Sequence, residues 1–305
     1  MPTATTISQW TLTNWGPLTT GFSADAACAT TGISMLAPRS ALGLGFSVDC
    51  AVATVGASCY PSGSQLDAAA STAFDRVGYF VMGYFSPGLV CPSGWKTVGV
   101  AARASDGSIS ASGIFIAPTS GQGAAVQTLP FFNPAVNAFT AAIDPGETAA
   151  ACCPSAMTAD PGGVCVSSLP DYRPSTACQR FVQDGDVSTF VTDITFLGAR
   201  TTAQLLTFVG TRPITSTATI TLPPSQTSEL VGVSLMPMVM LVRHASDVSG
   251  PGAGGSGGDG GGGEGPGSPS KPNSSGPGPL GAARTGAQLA FLMCISAVLM
   301  GMLAT

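Results

Sequence analysis

The sequence predicts a mainly β, disulfide-rich ectodomain, then a disordered Gly/Pro/Ser linker, then a C-terminal apolar helix. Three observations carry that prediction. Short runs rich in Val, Thr, Ile and Phe are separated by Gly, Pro and Ser clusters, the punctuation of strands and turns. Eight of the nine cysteines lie upstream of the linker, an even set suited to disulfides. The final stretch, Ala287–Thr305, is apolar and uncharged. The resulting boundaries are 1–248 for the ectodomain, 249–286 for the linker and 287–305 for a membrane segment or GPI-attachment signal.

Composition narrows the class. Charged residues make up 9% of the chain, against about 25% in a typical soluble domain. Disorder requires low hydrophobicity with high net charge, and here 44% of residues are hydrophobic. Residues 1–248 are enough chain to bury a sizeable core. The net charge is −5, and the 11 Lys and Arg residues are scattered. Without a basic patch to neutralise phosphates, nucleic acid is not an expected partner.

The expected strands are Thr97–Arg103, Ile109–Ile116, Glu147–Cys152, Val187–Thr195, Gln204–Val209, Thr217–Leu222 and Leu230–Val242. The last is largely apolar but has an internal Pro237 and falls short of the roughly 20 residues of a spanning helix. It reads as a buried or edge strand. Gln65–Val77 is the best amphipathic helix pattern. The abundant Ser, Thr and Gly predict a hydroxyl-rich surface, a substrate for O-glycosylation.

Cys28, Cys50, Cys59, Cys91, Cys152, Cys153, Cys165 and Cys178 precede the linker, and Cys294 lies in the apolar tail. In an extracellular setting the eight imply four disulfides, of about 105 conceivable pairings. A zinc site would show Cys pairs with about two to four residues between them, often with histidine. No pair has that spacing, and His244 is the only histidine. Cys152–Cys153 is vicinal. A bond between neighbours is strained, so each is expected to reach a different partner and tie two layers together.

The two ends set location. Met1–Gly21 has neither a basic n-region nor an apolar h-region, so no cleavable signal peptide is visible in it. Residues 250–279 bury too little apolar area to offset chain entropy and read as a flexible spacer. Ala287–Thr305 then fits two anchors. As a helix it rises about 28 Å, close to the thickness of a bilayer core. As a GPI signal, Asn273 or Ser274 is the attachment residue, with Pro277–Gly286 as spacer. Asn273-Ser274-Ser275 is also an N-glycosylation sequon. Both anchors make membrane lipid a partner.

Three segments place a Pro-Ser turn beside a cysteine: Cys59-Tyr60-Pro61-Ser62-Gly63, Cys91-Pro92-Ser93-Gly94-Trp95 and Cys153-Pro154-Ser155-Ala156-Met157. Pro and Gly suit a turn, and the cysteine can staple it. Aromatics on a rigid turn also suit a ligand surface, which places Trp95, Tyr84 and Phe85 as its candidate residues and cell-wall polysaccharide as its candidate ligand.

A resemblance runs through these segments. Leu18-Thr19-Thr20-Gly21-Phe22, followed by Cys28, resembles the LTTxF…C opening of a group of filamentous-fungal, membrane-tethered surface proteins. Tyr84–Trp95 is similar to their YSPGxCPSGW segment, and Ala151–Ser155 to their CCPSGY segment, with Ala156-Met157 replacing Gly-Tyr. Val242–Asp247 is similar to the VRWQxSD strand that closes their ectodomains. The resemblance spans most of Leu18–Asp247 in order. It implies a cell-surface protein without catalytic residues, and many members of the group likewise lack an obvious signal peptide.

Enzyme signals are sparse. A Ser or Cys nucleophile ordinarily requires a histidine base, and His244 sits at the edge of the linker beside Arg243 and Asp247. Asp184-Gly185-Asp186 lacks the spaced acidic loop of a calcium site. No cofactor or metal is implied. The expectation is a non-catalytic fungal cell-surface protein, structural or in recognition, at the outer face of the plasma membrane or in the cell wall. A carbohydrate-binding adhesin or wall-sensing ectodomain is the second expectation, and an extracellular hydrolase the third.

Overall fold

The computed structural model of the chain describes residues 1–25, 28, 35–38, 46–48, 50, 58–116, 131–169, 171–172, 175–182, 188–196, 199–208 and 210–248. The linker, the apolar tail with Cys294, the attachment and sequon residues Asn273 and Ser274, and Asp184-Gly185-Asp186 lie outside them. Among the described residues no helix is long and apolar enough to cross a membrane.

The chain is mainly β. It runs β1 (Thr6–Ile7), β2 (Trp10–Asn14), β3 (Met35–Pro38), β4 (Phe46–Ser47), α1 (Gly63–Asp75), β5 (Arg76–Val77), β6 (Phe80–Tyr84), β7 (Trp95–Arg103) and β8 (Ile109–Gly113). It continues through β9 (Phe131–Phe132), α2 (Ala135–Ala142), β10 (Glu147–Pro154), β11 (Thr158–Asp160), β12 (Val164–Leu169) and β13 (Thr176–Val182). The last part is β14 (Ser188–Phe196), β15 (Ala199–Phe208), β16 (Arg212–Thr221), α3 (Pro224–Thr227), β17 (Leu230–Pro237) and β18 (Val239–His244).

The strands form sheets in the orders β1-β2-β6, β18-β10-β7-β8, β11-β12-β17-β3-β4-β13-β16-β5 and β14-β15-β9. In the sheet of β18, β10, β7 and β8, the two strands β18 and β10 are buried on both faces, while β8 at the other edge is largely exposed. On β10, Ala149, Ala151 and Cys153 enter one core while Cys152 enters another, with Ala150 packed against it. On β18, Met240 and Val242 face the first core, and Val239 and Leu241 face the second. That is the period of two expected of a strand. Burial on both faces is why Leu230–Val242 reads as a largely apolar run, with Ser234 its one polar side chain. The alanines of β10 favour a helix by propensity, but between β18 and β7 their small side chains admit close packing on either face.

Leu230–Val242 is two strands, where the sequence predicted one. β17 lies between β12 and β3, and β18 pairs with β10 in a different sheet. The chain changes sheet at Pro237, which has no N–H for a ladder, and Met238 N donates to Gly163 O at 3.0 Å. The expected strand Ile109–Ile116 stops at Gly113. There φ is +60°, and an added Cβ would meet Val98 O, so the chain turns away where only glycine fits.

The predicted helix at Gln65–Val77 starts and ends two residues earlier, because Arg76 and Val77 pair with Pro213 and Arg212 of β16. The helix α2 has no counterpart in the sequence reading. Seven of its eight residues are buried, so it lacks the polar stripe that marks an amphipathic helix. Its Phe139 is fully buried and meets Tyr84 edge-on at 5.6 Å.

Candidate functional site

Two of the cysteine-turn segments singled out in the sequence share one hydrogen-bonded seam. The chain after β2 runs alongside the chain after β6: Trp15 N donates to Tyr84 O, Leu18 N to Pro87 O, and Ser93 N to Phe22 O at 2.8, 2.8 and 2.6 Å. The second of these strips also lies along β18, where Phe85 N donates to Met240 O at 2.9 Å and Gly88 N to Val242 O at 2.8 Å. Ser155 of the vicinal-cysteine segment closes the seam, its N and Oγ both donating to Gly94 O at 3.1 and 2.8 Å.

Disulfides staple the same seam. The four bonds are Cys28–Cys59, Cys50–Cys178, Cys91–Cys152 and Cys153–Cys165. The vicinal cysteines take different partners, as their strain predicts. Cys152 holds the loop before β7 against β10, and Cys153 joins β10 to β12 of the eight-stranded sheet. The three Pro-Ser segments have two fates. Trp95 N donates to Pro92 O and Met157 N to Pro154 O, so two are turns, whereas Ser62 O accepts from Gln65 N and opens α1.

The predicted ligand surface is corrected in two of its three residues. Tyr84 is 4% exposed and Phe85 1% exposed, so both belong to the core rather than to solvent. β6 turns Tyr84 toward α2, and the bridge between Phe85 and Leu241 draws Phe85 beneath β18. Trp95 is half-buried, with its ring 6.2 Å from that of Tyr60. It is the edge of an aromatic cluster in which Trp15 meets Tyr60 at 6.0 Å and Phe85 at 5.8 Å. Tyr60 is fully buried and donates its hydroxyl to Met238 O at 2.8 Å. Burial pushes its phenol far above the ordinary value, so it is a neutral donor at every physiological pH.

The polar groups around His244 and Glu147 have structural partners. His244 Nδ1 shares a hydrogen bond with Ser246 Oγ at 2.9 Å, and Asp247 accepts from the His244 backbone N at 2.7 Å. Asp247 therefore closes a turn and does not orient the imidazole, as the third member of a triad must. Buried Glu147 pairs with the Met1 amino group and accepts from Asp144 N at 2.8 Å. Burial first, then the charges of Glu147 and Asp144, raise the Tyr84 phenol above its ordinary value. Among the described residues no three His, Cys, Asp or Glu side chains converge on a metal position.

Beside the aromatic cluster lies a cleft of about 300 Å³. One wall is α1, which presents Leu66, Ala69, Ala70 and Ala73 at helical spacing. The facing wall is β6 with Met238 and Met240 of the β17–β18 passage, and the turn at Gly162 and Gly163 closes one end. Trp10, Trp15, Tyr60 and Phe80 supply the rings. Gly83 is required here, because an added Cβ would overlap the Trp15 indole. The sequence reading missed this cleft. Its one local signal was the pair Met238 and Met240, two residues apart, which puts two thioethers on one side of the chain.

No protein family, characterised protein or solved structure matches the chain.

Proposed function

We propose that the chain is a non-catalytic protein of the fungal cell surface, held at the outer face of the plasma membrane or in the cell wall, with a structural or recognition role. The observation that carries this reading is the pairing of all eight cysteines upstream of the linker into four disulfides. Such a set persists in oxidising compartments and is rare in the cytosol. Cys153–Cys165 joins two fully buried cysteines, so it braces the core and is not placed for redox exchange.

The fungal assignment rests on the resemblance of the four segments described above, and the anchor on the apolar stretch Ala287–Thr305. Lipid contact through that stretch, or through a GPI group at Asn273 or Ser274, makes the membrane its partner. The test is thiol labelling of the full chain, isolated from its native cells and denatured without reductant. Only Cys294 is expected to react in a chain that keeps its tail. Eight or nine reactive thiols would refute the extracellular reading.

A further inference from the structure

The cleft between α1 and β6 has no part in the proposed surface role and is argued on its own geometry. It is about 300 Å³ in volume. A cavity of about 150 Å³ lined by aliphatic and aromatic side chains stays dry and takes up benzene. This one is about twice that size and falls at the lower end of ordinary ligand pockets. It exists because α1 offers three alanines where a packed core would offer larger residues. A water-filled gap of this size would be stabilised by polar partners, and among the described residues few line it: no side chain there is charged, the Tyr60 hydroxyl is donated to Met238 O, and the Trp10 indole N–H to Asn133 O.

The chemistry of the walls selects the occupant. An ion or a sugar would leave its polar groups unpaired, at a cost the cleft cannot offset. A neutral aromatic ring system meets complementary groups on every side. Trp10, Trp15 and Phe80 offer ring edges and faces, and Met82, Met238 and Met240 offer thioethers. Edge-to-face ring pairs and sulfur–ring contacts are favourable beyond the area they bury. Unbranched Met side chains also adapt to the outline of a guest. The apolar tail, at nineteen residues from Ala287 to Thr305, is far too large to enter. We infer that the cleft binds one small, neutral, aromatic molecule of about two fused or linked rings.

N-phenyl-1-naphthylamine is a neutral fluorescent probe of that class. Titrated into the full chain, it is expected to bind once per chain and to be sensitised by tryptophan, since Trp10 and Trp15 line the cleft and Trp95 does not. Ala70→Phe and, separately, Ala73→Leu place side chains in the space itself. Each should weaken the sensitised binding by roughly tenfold or more, with all four disulfides retained. Undiminished binding in a folded variant would put the probe elsewhere, the apolar tail included, and overturn the proposal. Hydrogen exchange on the unaltered chain decides the matter without any variant: the probe should slow exchange in α1 and β6. Binding without that protection, sensitisation that tracks self-association, or no binding would each overturn it.

Discussion

The sheet of β18, β10, β7 and β8 and the ladder of β13 with β16 are both antiparallel, both crosslinked by disulfide, and held together by different physics. In β18, Val239–Val242 are all buried. In β16, Thr215–Thr219 are all exposed, and the run Thr215, Thr217, Thr219, Thr221 presents hydroxyls on one side of the strand. The central sheet is stabilised by apolar area removed from water. The β16 ladder relies on main-chain pairing and the β propensity of threonine, with Cys50–Cys178 fixing β13. Disulfides occur in both regions, so crosslinking does not set the difference. Burial does.

Paired substitutions sharpen that contrast most. Phe139→Ala removes a fully buried ring that packs beside the central sheet and is expected to cost about 3–5 kcal/mol. Thr217→Ala on exposed β16 is expected to change stability by no more than about 0.5 kcal/mol. Urea unfolding midpoints, compared at equal m-values, measure both. Similar losses from the two would mean that the β16 ladder is as tightly determined as the core.

The sequence made the central region more legible than the periphery, for reasons visible in single residues. Glu147–Cys152 and Thr97–Arg103 are local apolar patterns, and both are strands. The even cysteine count predicted four disulfides, but the pairing of Cys50 with Cys178 depends on chain segments 128 residues apart. The parallel pairing of β2 with β6 is equally non-local and left no periodic trace. Tyr84 and Phe85 misled because an aromatic pair beside a Pro-Gly turn looks the same whether the strand faces solvent or core. The cleft was illegible for a further reason: it is the space left by alanines on one element opposite a glycine and methionines on two others.

A second way to test the contrast is to remove one polar group from inside the core. Tyr60→Phe deletes the hydroxyl that donates to Met238 O at 2.8 Å and leaves that carbonyl without its partner. The expected loss is about 1–3 kcal/mol. It should be smaller than that of Phe139→Ala, because the ring and its packing remain. A neutral result would show that the carbonyl of Met238 is satisfied by solvent, and therefore that the cleft beside it is wet.

The smallest expected effect lies at the rim, in the turn that closes the cleft. Asp160 is half-buried, and desolvation raises its carboxyl above the ordinary value, although it accepts from Gly162 N at 2.8 Å. The folded chain therefore keeps this proton to a higher pH than the unfolded chain does. Between the ordinary and the raised value the folded state binds more protons, so stability falls as pH rises through that window and stays lower above it. Asp160→Asn keeps an acceptor oxygen for Gly162 N and has no charge to desolvate. It should match the unaltered chain at pH below the ordinary carboxylate range. At neutral pH it should be more stable, by less than the change seen for Tyr60→Phe. Thermal unfolding of both chains across that pH range measures the difference. A less stable Asp160→Asn chain at neutral pH would mean that the charged hydrogen bond to Gly162 outweighs desolvation, and that the rim of the cleft is held by a carboxylate the solvent reaches.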